Sequence, residues 1–160
     1  MSRNSPTDEP VPASDGLRFG IACACFNPEL TDALLARVTS LLEEAGSPAA
    51  LEVERVPGSH ETPVALSLML EAGPFDCLVG LGVVIKGATS HHHLVAESAG
   101  HAFQRLAVER RVPVINGLIV TDSEEDARER VTGALDRGAE FARAALQMAA
   151  LKRKWTKNSN

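Results

Sequence analysis

The chain has 160 residues, of which 44% are hydrophobic, enough for one globular domain with a real core but too few for a second full domain. Its 16 lysines and arginines against 21 acidic residues leave a net charge of -5, which argues against a nucleic-acid partner held by a general basic field. No apolar segment is long enough to cross a bilayer, and the N-terminus lacks the pattern of a signal peptide. We therefore expect a cytoplasmic protein that binds neither nucleic acid nor membrane.

The first 16 residues hold three prolines and almost nothing apolar, so they cannot bury enough surface to offset the entropy of ordering. We expect a flexible N-terminal arm over 1–16. A single domain over 17–160 should follow it and end in a short basic tail.

The first predicted strand covers 17–24, and Asn27 and Pro28 follow it. Asparagine can cap a helix and proline suits its first turn. Apolar residues then recur at helical spacing to about residue 45, where Gly46 ends the helix.

A second strand is predicted over 50–56, before a Pro-Gly break. The helix expected near 61–72 should turn Val64, Leu68 and Met69 inward.

The third strand, 76–85, is a nearly continuous apolar run, which is typical of a fully buried strand. The turn at 87–89 then leads into a helix over about 90–110. We expect His92 and His93 to lie on a solvated face of that helix.

A fourth strand is predicted over 112–120, and Asp122 or Ser123 should cap the helical segment 124–151. Two glycines interrupt that segment, so one long helix and two shorter ones both fit the pattern.

The three cysteines, Cys23, Cys25 and Cys77, all lie in apolar strand-like runs. Buried reduced thiols are far commoner there than metal ligands or nucleophiles. The cysteines therefore indicate a reducing compartment.

Strands that alternate with helices at this spacing predict an α/β fold of flavodoxin-like type, a three-layer sandwich around a mainly four-stranded parallel sheet. Two forms of the sheet fit the pattern, these four strands alone or the same four extended by a strand from the N-terminal arm. Ligands of such sheets lie outside the carboxyl ends of the strands. Four segments should therefore meet at one rim, namely 25–27, 57–61, 87–91 and 116–122.

The stretch GVVIKGATSHHH at 82–93 carries the clearest chemical signal. Backbone N–H groups at a helix start can hold an anion, and Thr89 adds a hydroxyl. His91 stands two residues on, and a histidine side chain can transfer a proton to or from a bound ligand. The local pattern also fits an ordinary capped turn that binds no phosphate.

Four motifs taken together are similar to those of one enzyme family. They are CFN at 25–27, VPGSHETP at 56–63, GVVIKGATSH at 82–91 and PVINGLIVTD at 113–122, and the pair Glu129-Arg130 follows them. Their order and spacing resemble the 6,7-dimethyl-8-ribityllumazine synthase family over roughly 19–151.

The resemblance implies a transferase that takes the penultimate step of riboflavin biosynthesis. It would condense 5-amino-6-(D-ribitylamino)uracil with 3,4-dihydroxy-2-butanone 4-phosphate, release phosphate and water, and use no cofactor or metal. His91 would be the catalytic residue. Pyrimidine and ribityl binding would fall to Phe26, Asn27, Ser59, His60, Glu61, Val83, Val84, Ile85 and Asn116. Phosphate binding would fall to Gly87, Ala88, Thr89, Arg130 and Arg137.

The same resemblance implies a homo-oligomer, either a pentamer or a pentamer-based shell, with active sites between subunits and with riboflavin synthase as a further partner. Three residues depart from the common pattern: Asn116 replaces a frequent phenylalanine, His60 a bulky apolar residue and Cys25 a frequent arginine.

Two rival interpretations remain open. A non-catalytic flavin-binding, lumazine-binding or shell-forming paralogue would need no working His91 or phosphate site. A metal protein using His91, His92 and His93 is disfavoured, because neighbouring side chains on a helix point about 100° apart.

Overall fold

The computed structural model describes residues 10–88 and 91–156. Its helices and strands, in chain order, are β1 (Arg18–Ala24), α1 (Pro28–Glu44), β2 (Ala50–Val56), a 3₁₀ turn (Ser59–Glu61), α2 (Thr62–Ala72), β3 (Cys77–Ile85), α3 (His91–Arg110), β4 (Val114–Thr121), α4 (Glu124–Val131) and α5 (Arg137–Thr156).

The four strands found in the described residues form one parallel sheet in the order β2-β1-β3-β4. In the register, Ile21 of β1 lies opposite Val53 of β2 on one side and Val79 of β3 on the other. Gly80 of β3 lies opposite Asn116 of β4. Parallel strands joined by helices confirm the predicted α/β, flavodoxin-like sandwich.

Helices cover the sheet on both faces, which explains why β1 and β3 are apolar along nearly their whole length. On one face, α1, α4 and α5 enclose a core that includes Phe19, Ile21, Leu34, Leu81 and Leu146. On the other face, α2 and α3 pack over a smaller core that includes Leu66, Phe75, Leu78 and Phe103.

Helix α3 lies close to the sheet because β3 has a glycine beneath it. A Cβ on Gly80 would overlap the ring of Phe103. Phe103 is 1% exposed, so its ring has no room to move aside. The close packing of α3 fixes the position of the helix that begins at His91.

The segment 124–151 contains the whole of α4 and most of α5. Helix α4 ends at Val131, and the N–H of Gly133 donates to the carbonyl of Arg128 (3.1 Å). Asp136 then adopts a positive φ of 39° before α5 begins. The two-helix interpretation is therefore confirmed. Ser123 is the cap of α4, since its hydroxyl accepts the N–H of Asp126 (3.1 Å).

The predicted inward face of α2 is partly wrong. Met69 is buried, but Val64 and Leu68 are 58% and 66% exposed. The buried face is formed instead by Pro63, Leu66 and Met69. Helix α2 is apolar on more than one side, so its sequence does not reveal which apolar side packs on the sheet.

Residues 10–17 form no strand ahead of β1, and residues 1–9 lie outside the described part of the chain. The end of the predicted arm contacts the domain, since Ser14 N–H donates to the carbonyl of Ala45 (3.1 Å) and Gly16 N–H to that of Ser47 (2.9 Å). None of the helices over 10–88 and 91–156 has the length and apolarity that a membrane span requires.

Candidate active site

A cavity of about 350 Å³ lies at the carboxyl ends of β1, β2 and β3. The turn after each strand and the start of α3 contribute to its wall, as expected for a ligand site in a parallel sheet. The lining residues are Phe26, Asn27, Gly58, Ser59, His60, Glu61, Val83, Val84, Ile85, His91 and Val95. Nine of these are among the site residues that the sequence predicts.

Phe26 and Glu61 lie side by side across Gly58. A Cβ on Gly58 would be 2.9 Å from Glu61 Oε2 and 3.5 Å from Phe26 Cδ2. Phe26 is 69% exposed, which is unusual for a large aromatic ring and leaves its face accessible to a ligand. The cavity therefore presents an aromatic face next to a carboxylate.

Asn27 occupies the N-cap position of α1 as predicted, but its side chain does not cap the helix. Its backbone is left-handed (φ 54°, ψ 58°), and its side chain makes no capping hydrogen bond. The side-chain Nδ2 donates instead to the carbonyl of Val83 at 2.9 Å. An asparagine before a proline fits either role, and the choice here depends on β3, which is distant in sequence.

Ser59 and His60 reach the cavity from the 3₁₀ turn after β2. Ser59 is buried, and its carbonyl accepts the hydroxyl of Thr62 (2.6 Å). A Cβ on Gly82 would overlap Ser59 Oγ, so the serine packs directly against β3. His60 is exposed, and its Nδ1 lies 3.9 Å from Glu61 Oε1.

His91 is the first residue of α3, exposed and in the cavity wall. The prediction that His92 lies on a solvated face is wrong, because His92 is 6% exposed. His93 is exposed as predicted, with its ring centroid 4.0 Å from that of His92. Successive helical side chains rotate by about 100°, which turns His92 inward.

Among the described residues, no three histidine, cysteine or acidic side chains are grouped to hold a metal.

The loop after β3 is joined to the end of β4. Lys86 N–H donates to the carbonyl of Thr121 (2.9 Å), and Lys86 Nζ lies 3.4 Å from Asp122 Oδ1. Gly87 and Ala88 are exposed next to the start of α3. The predicted phosphate-binding residue Thr89 lies outside the described residues.

Besides Gly87 and Ala88, three described residues of the predicted site do not line this cavity. Asn116 is exposed on β4, and its Oδ1 accepts the N–H of Leu118 (3.1 Å). Arg130 Nη1 donates to the carbonyl of Asp126 within α4 (2.9 Å). Arg137, at the start of α5, pairs with Glu140. In this chain the polar groups of these three residues are separate from the aromatic and imidazole groups that line the cavity.

Two lining residues were not predicted, Gly58 and Val95. Gly58 stands inside the VPGSHETP motif, and Val95 follows His91 by one helical turn. The helical period of α3 would have identified Val95 as a neighbour of His91.

The cysteines differ in exposure. Cys23 and Cys77 are buried as predicted, but Cys25 is exposed. Burial raises the pKa of the Cys23 thiol to about 11 and that of Cys77 well above its usual range. Cys25 follows the last residue of β1, where the chain turns towards the cavity.

The sequence matches one family along most of its length. The family model described as 6,7-dimethyl-8-ribityllumazine synthase matches residues 16–153. Proteins of that name from Azoarcus sp. (strain BH72), Chromobacterium violaceum and Methylobacterium radiotolerans are 36%, 38% and 38% identical to it. These matches cover 85%, 89% and 95% of this chain and 86%, 91% and 90% of the relatives. The chain therefore belongs to the 6,7-dimethyl-8-ribityllumazine synthase family of enzymes.

Proposed function

We propose that this protein condenses 5-amino-6-(D-ribitylamino)uracil with 3,4-dihydroxy-2-butanone 4-phosphate to 6,7-dimethyl-8-ribityllumazine, with release of phosphate and water. This is the penultimate step of riboflavin biosynthesis. The observation that carries the proposal is the composition of the cavity, where an aromatic face, a carboxylate, a strand end and an imidazole converge. Each group suits one part of the two substrates.

The pyrimidine substrate would bind between Phe26 and the end of β3. An exposed ring can stack on a flat uracil, and the backbone of Val83, Val84 and Ile85 offers donors and acceptors to its polar edge. The ribityl chain would extend towards Glu61, whose carboxylate can accept hydrogen bonds from its hydroxyls. Ser59 and His60 complete this part of the wall.

The phosphate of the second substrate would bind beside the start of α3. Gly87 and Ala88 are exposed there, and backbone N–H groups at a helix N-terminus attract anions. The hydroxyl of Thr89 enters the proposal from the family resemblance alone. Arg130 and Arg137 would add guanidinium groups, which bind phosphate oxygens in pairs.

His91 would donate and accept the protons that move during the reaction. The 5-amino group of the uracil attacks the ketone and forms an imine with loss of one water. Phosphate is then eliminated and the resulting enol becomes a ketone. The ribitylamino nitrogen attacks that ketone and closes the ring with loss of a second water. Each of these steps moves a proton, and an imidazole can donate or accept it near neutral pH. The substrate supplies its own amine, so the scheme needs no enzyme nucleophile and proceeds without cofactor or metal.

The separation of Asn116, Arg130 and Arg137 from the cavity supports a shared site between subunits. We propose a homo-oligomer, a pentamer or a pentamer-based shell, in which a neighbour's Asn116 closes the cavity. Burial of the exposed apolar side chains of Val64 and Leu68 would stabilise such a contact. Riboflavin synthase is a further proposed partner, and the cytoplasm is the proposed location.

The proposal is tested by following lumazine formation by absorbance with both substrates. His91→Ala should lower turnover by about 10²-fold. Arg130→Ala should raise KM for the phosphate substrate by roughly tenfold. Arg128→Ala is the matched control, since Arg128 lies on the same helix but binds Glu29 (Nη1 to Oε1, 2.7 Å). Unchanged kinetics in both His91→Ala and Arg130→Ala would contradict the assigned roles.

The competing hypothesis, a non-catalytic binding paralogue, makes a different prediction. A wild-type protein that binds riboflavin or the lumazine tightly but forms no product would support it. The exposed Phe26 beside Glu61 serves binding in either case, whereas only the synthase needs His91.

A further inference from the structure

Asn27 joins the two segments on which the proposed pyrimidine site depends. We infer that Asn27 is a positioning residue, which acts on the pyrimidine substrate through Val83 and Phe26 by tying the turn after β1 to the end of β3. The inference rests on the proposed function, because it assigns a role within that same site.

The first observation is where β1 leaves β3. Backbone pairing of the two strands runs as far as Cys23 opposite Leu81. The turn that follows β1 remains hydrogen-bonded to β2, since Cys25 N–H donates to the carbonyl of Val56 (2.8 Å). Strand β3 continues to Ile85. Beyond Leu81, β1 no longer pairs with this edge of β3, so the carbonyl of Val83 needs another hydrogen-bond donor. The side-chain amide of Asn27 is that donor, at 2.9 Å.

The second observation is the burial at this contact. Val83 is 2% exposed, and an unpaired carbonyl in such a position is costly. The hydrogen bond therefore favours one arrangement of the β3 end. That end carries the backbone groups proposed to bind the uracil ring.

The third observation is the backbone of Asn27. Its φ of 54° lies in the left-handed region, which asparagine tolerates better than most residues. Its carbonyl accepts the N–H groups of Leu30 and Thr31, both at 3.0 Å. This sharp turn starts α1 and leaves the preceding Phe26 ring 69% exposed. One residue thus provides both the turn that presents Phe26 and the clamp that holds Val83.

Three substitutions separate these two contributions. Asn27→Gly keeps access to the left-handed backbone but removes the amide. Asn27→Asp keeps the size but cannot donate a hydrogen bond while ionised. Asn27→Ala loses both the amide and the tolerance of positive φ. We expect the Gly and Asp variants to behave alike and the Ala variant to be the most affected.

The test combines hydrogen exchange on the ligand-free protein with kinetics. In Asn27→Gly, amide exchange over 25–31 and 82–86 should accelerate by roughly two- to tenfold, while exchange within α5 stays unchanged. KM for the pyrimidine should rise by a similar factor, roughly two- to tenfold. KM for the phosphate substrate should remain within about twofold of the wild-type value.

Two results would overturn the inference. Unchanged exchange in the ligand-free Asn27→Gly protein with a raised pyrimidine KM would mean that Asn27 contacts the substrate directly. Faster exchange throughout α5, with both KM values raised, would mean general destabilisation. A wild-type protein that forms no lumazine would instead overturn the proposed function, while the exchange data would still decide whether Asn27 holds the turn.

Discussion

Glu61 and Phe26 both lie next to Gly58. A Cβ on this glycine would be 2.9 Å from Glu61 Oε2 and 3.5 Å from Phe26 Cδ2. Gly58 has an extended backbone (φ -143°), so the glycine is needed for space and not for an unusual backbone angle. The turn after β2 thereby places a carboxylate next to an aromatic face.

Gly58→Ala should impair pyrimidine binding with little effect on folding. The added methyl group displaces the Glu61 carboxylate, whose side chain is 46% exposed and free to move away. We expect KM for the pyrimidine to rise by roughly three- to tenfold, with Tm nearly unchanged. Gly73→Ala is the matched control, because no heavy atom lies within 4 Å of a Cβ there. Equal KM values for the two variants would refute this role of Gly58.

Gly82→Ala should destabilise the fold. Its Cβ would overlap Ser59 Oγ and lie 3.0 Å from Leu118 Cδ2, and Ser59 is only 6% exposed. Overpacking of this kind costs about 1–3 kcal/mol of unfolding free energy, which urea denaturation can measure. The additional substitution Ser59→Gly should restore part of the loss, since it removes the nearer obstacle. A double variant no more stable than Gly82→Ala would contradict this packing.

The three thiols should react at different rates. Cys25 is exposed, whereas Cys23 and Cys77 are buried, and the pKa of Cys23 is raised to about 11. Because the thiolate is the reactive form, a thiol-disulfide reagent near neutral pH should titrate one group per folded chain. All three should react in denaturant. A second fast-reacting thiol in the folded protein would contradict the burial of the strand cysteines.

The ion pair between Asp136 and Arg37 should make stability depend on acidic pH. The two groups are 2.6 Å apart (Oδ2 to Nη2), and the Arg37 hydrogen bond lowers the pKa of Asp136. A lowered folded-state pKa adds stability above the unfolded-state pKa, and this stability is lost as pH falls through the folded-state pKa. Asp136→Asn should therefore unfold more easily near neutral pH, by up to about 1 kcal/mol for this half-exposed pair.

That difference between wild type and Asp136→Asn should shrink below about pH 4, as thermal unfolding across a pH series would show. Glu125→Gln, which removes an exposed carboxylate from α4, controls for the change in net charge. A difference that persists unchanged at low pH would contradict the assignment of this stability to the ionised carboxylate of Asp136.

Much of the fold could be predicted because its signals are local. The strand β2 covers the predicted residues 50–56. Apolar and charged side chains alternate there until the Pro-Gly break. Strand β3 is apolar throughout because helices cover both faces of the sheet. The motifs after β1, β2 and β3 predicted the meeting of Phe26, Glu61 and His91, since the carboxyl ends of parallel strands share one rim.

Other features depend on contacts distant in sequence. Asn27 binds Val83, 56 residues away, and nothing beside Asn27 in the sequence indicates that partner. Leu68 is apolar yet 66% exposed, because α2 has more apolar surface than the sheet covers. His92 is buried although its neighbours are exposed, and a run of three identical residues gives no sign of which one turns inward.

The central claim is tested most directly by measuring both products of one reaction. Wild-type protein would be incubated with 5-amino-6-(D-ribitylamino)uracil and 3,4-dihydroxy-2-butanone 4-phosphate, and 6,7-dimethyl-8-ribityllumazine and inorganic phosphate would be quantified over time. We predict that the two products form in equal amounts, far faster than without protein. Phosphate release without lumazine, or no acceleration of either product, would contradict the proposed function.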